Sequence, residues 1–244
     1  MFQADWPAPS NVKTAISTRE GGVSLPPYNG LNLGSHVNDN PQAVAQNRQL
    51  FRLQADMPAD PLWLNQVHGT DCVVLEQTDF SAGPVTADAS TTKSKALVSV
   101  VLTADCLPVL FCDAAGTQVA AAHAGWRGLV DGVLEQTLAQ FAEPHQVMAW
   151  LGPAIGPKAF EIGDEVRQAF IAKDARAGAA FVAIPNKTGK WLADLYQLAC
   201  LRLTAAGVTQ IYGGSFCTFT EEIRFYSYRR DGQTGRMASC IWLD

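Results

Sequence analysis

The chain is poor in histidine. Among its 244 residues only four are histidine, namely His36, His68, His123 and His145. Imidazole is the usual copper ligand in copper oxidases, and a four-copper centre needs roughly ten of them. The sequence therefore excludes a multi-copper centre built by this chain alone, together with any other site that needs many imidazoles.

The chain also lacks features that would take it out of the cytoplasm. Its first residues, MFQADWPAPS, contain no basic stretch followed by an apolar one, as a secretory signal does. No apolar run approaches the ~20 residues of a membrane span. The six cysteines are scattered along more than half of the chain, which favours reduced thiols over a disulfide framework. We therefore expect a cytoplasmic protein with no membrane partner.

Charge is neither concentrated nor strongly biased. Lys and Arg number 18 and Asp and Glu number 23, giving a net charge of −5 without a basic cluster. Nucleic-acid binding depends on such clusters, so we expect no nucleic-acid partner. No apolar heptad or similar seam is evident, so we expect a monomer.

The composition, 48% hydrophobic and 17% charged, is typical of a globular domain. Neither an internal repeat nor a linker divides the chain, so residues 1–244 are predicted to form one domain. Strands are predicted at 12–18, 61–68, 71–76, 96–102, 107–113 and 117–125, near 147–151 and 208–214, and at 224–230 and 236–244. Helices are predicted at 40–53, 129–141, 163–173 and 191–207. This order predicts an α/β (α+β) fold with mixed sheets in a layered core and flanking helices.

The first helix has a clear start. Asn40 and Pro41 are typical of an N-cap and of the first helical position. Val44, Asn47, Arg48 and Phe51 then share one face. An arginine on an inward face either extends its charged end to solvent or contacts an anion, and the sequence alone leaves both open.

Three segments place metal-capable side chains beside small or turn-forming residues. They are QVHG with His68, TADCLP with Cys106 and AHAGWRG with His123. Two imidazoles and a thiolate suit Zn²⁺, and three protein ligands leave a fourth position open. The gaps between them are too long for a zinc finger, so a sheet would have to assemble the site. Cys112, six residues along the same strand from Cys106, would lie roughly 20 Å away and cannot complete a closed structural site.

Other roles for these residues remain open at this point. Cys106 is also a candidate nucleophile with His123 as its base and Asp105 or another carboxylate orienting the imidazole. In a purely structural role, Cys106 is a small buried hydrophobic residue.

The segment AHAGWRGL has an interpretation of its own. Gly125 and Gly128 allow a close approach of backbone and ligand, and Arg127 lies near a predicted helix start. This combination can hold phosphate or carboxylate, although a tight turn with Arg127 in solvent explains the pattern as well. The segment SYRRDGQTGRMASCIW is most simply interpreted as a solvated turn between two strands.

Taken together, these segments resemble one known family. STREGGVSLPPYNGLNLGSHVNDNPQAVAQNR, WLNQVHG, ADAS, LTADCLPVLF, AAAHAGWRGL, WLGPAIGP and FYSYRRDGQTGRMASCIWL are similar to the YfiH-like polyphenol oxidase/laccase-domain family. The resemblance runs from about residue 12 to the last residue, and the ordered set VHG, TADCLPV and HAGWRG is highly specific.

The resemblance implies one Zn²⁺ held by His68, Cys106 and His123, which also serve as the catalytic residues. It implies phosphorolysis of adenosine, inosine and S-methyl-5'-thioadenosine, with deamination of adenosine as a further activity. Zn²⁺ suits this chemistry because it is a Lewis acid and lowers the pKa of water to around 7. We expect a nucleoside and phosphate as partners, with Arg48, Arg127 and Gly125 as candidate phosphate contacts.

Other functions remain as alternatives. The family is also associated with editing of peptidoglycan precursors, as an amidase acting on UDP-muramoyl amino acids. A Cys106–His123 cysteine hydrolase and a zinc-stabilised binding module are further candidates. A copper-dependent polyphenol oxidase is disfavoured by the histidine count.

Overall fold

Fourteen strands in four sheets and six helices make up the computed structural model, which describes residues 1–244. The strands are β1 (Val12–Ile16), β2 (Leu64–Asn65), β3 (Cys72–Val74), β4 (Val85–Thr86), β5 (Ala89–Thr92), β6 (Val98–Thr103), β7 (Leu107–Asp113), β8 (Val119–Ala124), β9 (Val147–Leu151), β10 (Glu161–Gly163), β11 (Phe181–Ala183), β12 (Lys190–Ala193), β13 (Gln210–Gly213) and β14 (Met237–Leu243). The helices are α1 (Pro41–Gln54), α2 (Trp126–Asp131), α3 (Val133–Leu138), α4 (Asp164–Lys173), α5 (Leu195–Ala205) and α6 (Tyr228–Asp231).

The central sheet has six strands in the order β13-β9-β7-β8-β5-β3, parallel at its two outer pairs and antiparallel elsewhere. Side chains alternate between its faces. Leu107, Val109 and Phe111 of β7 pack toward the helices, whereas Leu110 and Cys112 pack toward a second sheet. Both faces are therefore buried, as the continuous apolar run of this strand predicts.

The second sheet, β1-β14-β6, packs against the central sheet and is covered on its other face by α1. Phe51 from α1 and Leu31 and Leu33 from the preceding loop supply this cover. On the far side of the central sheet, α2, α3, α4 and α5 bury the largest apolar cluster. The layers are thus helix, sheet, sheet and helices, which confirms the predicted mixed-sheet fold with flanking helices.

The first helix begins where the sequence predicts. The Asn40 side chain accepts hydrogen bonds from the backbone N–H groups of Gln42 and Ala43, and Pro41 is the first helical residue. Val44, Asn47 and Phe51 are buried on the predicted face. None of the helices is both long and apolar enough to cross a membrane.

Two predicted helices are shorter than expected because one residue in each interrupts them. Gly132, with φ of 107°, separates α2 from α3 within the predicted helix 129–141. The predicted helix 191–207 begins only after Asp194, whose side chain accepts from the backbone N–H of Gln197. The preceding residues form β12, which pairs with β10 and β11. Asp194 is the N-cap of α5. Because it lies within a long apolar run, the sequence pattern did not mark it as a helix start.

The predicted strands at 224–230 and 61–68 are largely wrong. Residues 224–227 form no strand, and the Ser227 side chain instead caps the short helix α6. Only Leu64–Asn65 of the other segment is a strand, so His68 lies in the loop that follows. Phe225 and Tyr226 are completely buried, which explains the apolar pattern without a strand.

Candidate metal centre

The three predicted ligands converge at one edge of the central strands. His68 follows β2, Cys106 occupies the turn between β6 and β7, and His123 lies near the end of β8. Strands β7 and β8 are antiparallel, with Pro108 opposite His123, so the start of one strand meets the end of the other. Each residue offers one ligand atom, and these three atoms all lie within 4.8 Å of one another. Nε2 of His68 lies 3.8 Å from Sγ of Cys106.

Backbone conformations that are uncommon for non-glycine residues place two of these side chains. His68 has φ of 62° and Asp105, next to Cys106, has φ of 91°. The Asp105 carboxylate accepts hydrogen bonds from the Thr218 hydroxyl and from the backbone N–H of Arg229, each at 2.6 Å. These contacts stabilise the turn that carries Cys106.

A buried carboxylate connects the two imidazoles. Asp88 immediately precedes β5, is completely buried, and lies 2.8 Å from Nδ1 of His123. It also accepts the backbone N–H groups of Val67, His68 and Gly69 at 3.1, 2.9 and 2.7 Å. Because Nδ1 of His123 is engaged, its Nε2 is the atom free to bind a metal.

Mutual electrostatic effects favour charged forms of these groups. Burial alone raises the pKa of the Cys106 thiol, but His123 and His68 outweigh it and lower that pKa below its ordinary value. Burial alone lowers the pKa of His123, but Cys106 and Asp88 reverse this and raise it. Hydrogen bonds from His123, Gly69 and Val67 likewise overcome burial and lower the pKa of Asp88. The site is therefore ready to supply a thiolate.

The donor set fits a metal ion such as Zn²⁺. Ligand atoms at zinc bond lengths in a tetrahedral arrangement lie about 3.3–3.6 Å apart. The observed separations, 3.8 Å for one pair and at most 4.8 Å for the set, are close to this spacing. No fourth His, Cys, Asp or Glu joins the group, so these residues would supply three ligands to a bound Zn²⁺.

The same atoms include a Cys106–His123–Asp88 arrangement of the kind that a cysteine hydrolase uses. Such a nucleophile needs only one base, whereas Cys106 contacts two imidazoles. The second imidazole, His68, has its backbone held by the same Asp88 that orients His123. The arrangement thus holds three donors toward one point, which favours metal binding.

A cavity of about 380 Å³ opens above these ligands. Its other polar lining residues include His36, Gln66, Tyr228 and Arg236. The Gln66 amide donates to the carbonyl of Leu102 and accepts the backbone N–H of Leu102, so these two bonds hold it against β6. Arg236 donates from Nη1 to the carbonyl groups of Thr234 and Gly235, and its Nε and Nη2 carry no protein hydrogen bond. A ligand in the cavity can therefore receive the remaining donors of Arg236.

Arg236 lines this cavity and Arg48 lies close to it, with the Cys106 and Asp105 charges acting on Arg236. Loss of hydration lowers the pKa of His36 first, and the positive charges of Arg236, Arg48 and His123 lower it further. Burial lowers the pKa of Arg48 to about 10. Its guanidinium lies 3.9 Å from the Trp63 ring centroid and donates to the Leu33 carbonyl, with no ion pair to an acid. Such a region attracts an anion.

The three residues that the sequence predicted as phosphate contacts lie in different parts of the structure. Arg48 lines a neighbouring cavity with Trp63, close enough to His36 to lower its pKa. Arg127 stacks on Trp126 and lines a different cavity. Gly125 lies directly behind the metal ligands, where an added Cβ would come within 2.8 Å of His68 Cδ2 and 3.1 Å of Cys106 Sγ. The absence of a side chain at Gly125 therefore allows the backbone to lie close to His68 and Cys106.

Asp88 and Arg236 have no assigned role in the sequence analysis. Asp88 could have been found from the sequence, because it directly precedes the buried strand ASTT. A carboxylate that is fully buried requires hydrogen-bond partners. Arg236 has no such signal, because its segment has the composition of a solvated turn. Gly34 makes room for it, since an added Cβ there would lie 2.7 Å from Arg236 Cγ.

Fold and site together define an α/β protein in which a His–Cys–His group that could hold a metal ion opens to a cavity. The chain belongs to the family described as multi-copper polyphenol oxidoreductase laccase, whose model matches residues 13–244. The copper centre in that description needs more imidazoles than the four of this chain.

Relatives match over nearly the whole length. The chain is 57% identical to purine nucleoside phosphorylase YfiH of Escherichia coli, covering 98% of this chain and 96% of the relative. It is 52% identical to a purine nucleoside phosphorylase of Pseudomonas aeruginosa, with the same coverage. A crystal structure of a Neisseria meningitidis protein superposes with a TM-score of 0.95 at 53% identity, covering 100% of this chain and 98% of the other.

Proposed function

We propose that the chain is a zinc-dependent purine nucleoside phosphorylase that cleaves adenosine, inosine and S-methyl-5'-thioadenosine and also deaminates adenosine. The names of the relatives support phosphorolysis. The observation that carries the proposal is the juxtaposition in one cavity of a metal-ligand set and the guanidinium of Arg236. A metal-assisted reaction with an anionic co-substrate requires both features.

His68, Cys106 and His123 are the residues that would hold Zn²⁺. When bound, Zn²⁺ supplies a Lewis acid that stabilises developing negative charge and lowers the pKa of water. Asp88 keeps His123 oriented and the loop of His68 in place through its four hydrogen bonds. Such outer partners preserve the geometry on which metal chemistry depends.

We assign phosphate binding to Arg236, supported by the charge of Arg48; His36, whose pKa is lowered, lines the cavity as a neutral imidazole. A guanidinium with two free donor groups matches two phosphate oxygens, and its buried stem limits the orientations that it can adopt. In the reaction, the C1'–N9 bond of the nucleoside breaks and a phosphate oxygen bonds to C1'. The departing purine takes up a proton, so that the products are a free base and ribose 1-phosphate.

The purine would contact Tyr228 at the mouth of the cavity. The Tyr228 side chain is 61% exposed and lines the same cavity as the ligands. An exposed aromatic ring beside a binding site offers a stacking surface for a base. Arg236 lies 5.9 Å from the centroid of this ring, which places the proposed base and phosphate contacts next to each other.

Deamination of adenosine is the second part of the proposal. It replaces the 6-amino group of adenine by the oxygen of water and releases ammonia, and the lowered pKa of water near Zn²⁺ favours it. The sequence lacks the H-x-E and P-C-x-x-C pattern of cytidine-type zinc deaminases. The activity therefore rests on the three-ligand centre described above.

The decisive experiment incubates zinc-loaded protein with adenosine, with and without phosphate, and identifies the products by chromatography. We expect ribose 1-phosphate only when phosphate is present, and hypoxanthine or inosine as the deamination products. Cys106→Ala should lose zinc and activity, whereas the control Cys200→Ala, away from the site, should keep both. In Arg236→Ala the KM for phosphate should rise by about tenfold or more.

A second substrate tests the editing alternative. If the zinc-loaded protein leaves adenosine intact and hydrolyses UDP-muramoyl-L-serine, the amidase function replaces this proposal. Full activity of metal-free Cys106→Ala protein would contradict the zinc mechanism altogether.

A further inference from the structure

A second cavity lies outside the metal centre, with a volume of about 750 Å³. We call it the α2–α4 groove, because it is lined by Trp126 and Arg127 of α2 and Glu165 of α4, together with Phe160, Lys190 and Arg229. Its volume is within the range of small-molecule sites, about 300–1,000 Å³.

The groove and the metal cavity share a wall. Trp126 directly follows Gly125, which packs against His68 and Cys106. Arg229 directly follows Tyr228, which lines the metal cavity, and its backbone N–H donates to Asp105. The two cavities have no lining residue in common, so the groove is a separate site with its own chemistry.

Three cations, Arg127, Arg229 and Lys190, line the groove together with the carboxylates of Glu161 and Glu165. Neither Arg127, Arg229 nor Lys190 forms an ion pair, although the chain as a whole has a net charge of −5. Glu161 also lines the groove; its carboxylate is engaged by Lys187 at 2.8 Å, and the charges of Lys190 and Arg229 contribute to lowering its pKa. The cations outnumber the carboxylates of the lining and none is in direct ion-pair contact, so an anion in the groove would pair with them.

Aromatic rings hold both guanidinium groups in place. Arg127 lies 4.4 Å from the Trp126 ring centroid, and Arg229 lies 5.5 Å from the centroid of Phe160. Arg229 also donates from Nη1 to the carbonyl of Glu161 at 2.8 Å. Such contacts restrict the side chains before a ligand arrives, which reduces the entropy lost on binding.

The groove also offers groups for the uncharged part of a ligand. The Glu165 carboxylate can accept hydrogen bonds from sugar hydroxyl groups, as acidic residues do for ribose in nucleotide sites. Half-buried aromatic residues, Trp126 and Phe219, provide apolar surface beside the cations. We propose that the α2–α4 groove binds a nucleoside monophosphate, with Arg127, Arg229 and Lys190 on the phosphate and Glu165 on the ribose.

The test measures binding of AMP by calorimetry to the zinc-loaded protein in phosphate-free buffer, with adenosine and inorganic phosphate as separate ligands. We compare the unmodified protein with Arg127→Ala/Arg229→Ala. A matched control, Lys93→Ala/Lys95→Ala, removes the same charge from exposed positions elsewhere in the chain. Arg236→Ala reports whether AMP binds instead in the metal cavity.

We expect the AMP affinity to fall by about tenfold or more in Arg127→Ala/Arg229→Ala and to change little in the two other variants. Nucleoside phosphorolysis by Arg127→Ala/Arg229→Ala should stay normal, so the outcome is independent of the proposed function. Absence of AMP binding, loss of AMP binding in Arg236→Ala, or equal AMP affinity in all variants would overturn the inference. Inorganic phosphate binding as tightly as AMP would overturn the assignment to a nucleotide.

Discussion

Oδ1 of Asp88 lies 2.8 Å from Nδ1 of His123, and both side chains are buried. This contact fixes which nitrogen of the imidazole faces Cys106. The same carboxylate accepts the backbone N–H of His68, so one acidic side chain contacts both histidines of the candidate site.

Replacing Asp88 should therefore weaken metal binding. In Asp88→Asn the amide nitrogen cannot accept the hydrogen bonds that the second carboxylate oxygen accepts, and zinc affinity should fall by about 10–100-fold. Competition with a chromophoric chelator measures the affinity, and melting of the chelator-treated protein reports folding separately. If the folded variant binds zinc as tightly as the original chain, Asp88 has no positioning role.

The Cys106 thiol should react with iodoacetamide at neutral pH in protein stripped of metal. Its pKa is lowered below the ordinary value, so the thiolate is present at neutral pH and is lost as the pH falls through the lowered pKa. Burial raises the pKa values of Cys72 and Cys112 to about 12, so those thiols should stay unmodified.

Cys217 is the internal control for this reaction. Hydrogen bonds from Thr220 and Gly156 overcome burial and lower the pKa of Cys217 as well, yet it belongs to no metal-ligand set. Zinc should protect Cys106 and leave Cys217 reactive, as peptide mapping by mass spectrometry would show. Equal protection of both thiols would argue against Cys106 as a ligand.

Gly125→Ala should damage the metal centre directly. The new Cβ would lie 2.8 Å from His68 Cδ2, which forces that imidazole away from Cys106. We expect zinc affinity and activity to fall by about tenfold or more. Gly178→Ala is the matched control, because its Cβ would meet only Ile171 Cδ1 at 3.8 Å. Zinc retention and full activity in Gly125→Ala would contradict this geometry.

Asp105 should contribute to stability as well as to the site. Asp105→Ala removes the acceptor of the Thr218 and Arg229 hydrogen bonds and leaves alanine at φ of 91°, at a cost of about 2–4 kcal/mol. Asn tolerates this conformation and keeps one acceptor, so Asp105→Asn should cost less, about 1–2 kcal/mol. Urea unfolding measures both values, and equal losses would show that the backbone conformation is unimportant.

Local sequence signals predicted the elements whose ends depend on near neighbours. Asn40 and Pro41 start α1 because a cap and a fixed φ act within one turn. The prediction failed at Asp194, where a cap lay within a long apolar run, and at residues 224–230, where burial comes from tertiary packing without strand pairing. Apolar content alone does not distinguish these cases.

The sequence by itself predicted the three candidate donors, His68, Cys106 and His123, which lie together in the structure, and its histidine count excluded a multi-copper centre. Only the tertiary structure decided what surrounds them. It placed Arg236 beside His36, 200 positions away in the chain, and moved Arg127 into a different groove. The reason is physical: caps and side-chain types act locally, whereas charge and orientation at the site come from strand pairing and loop packing between distant segments.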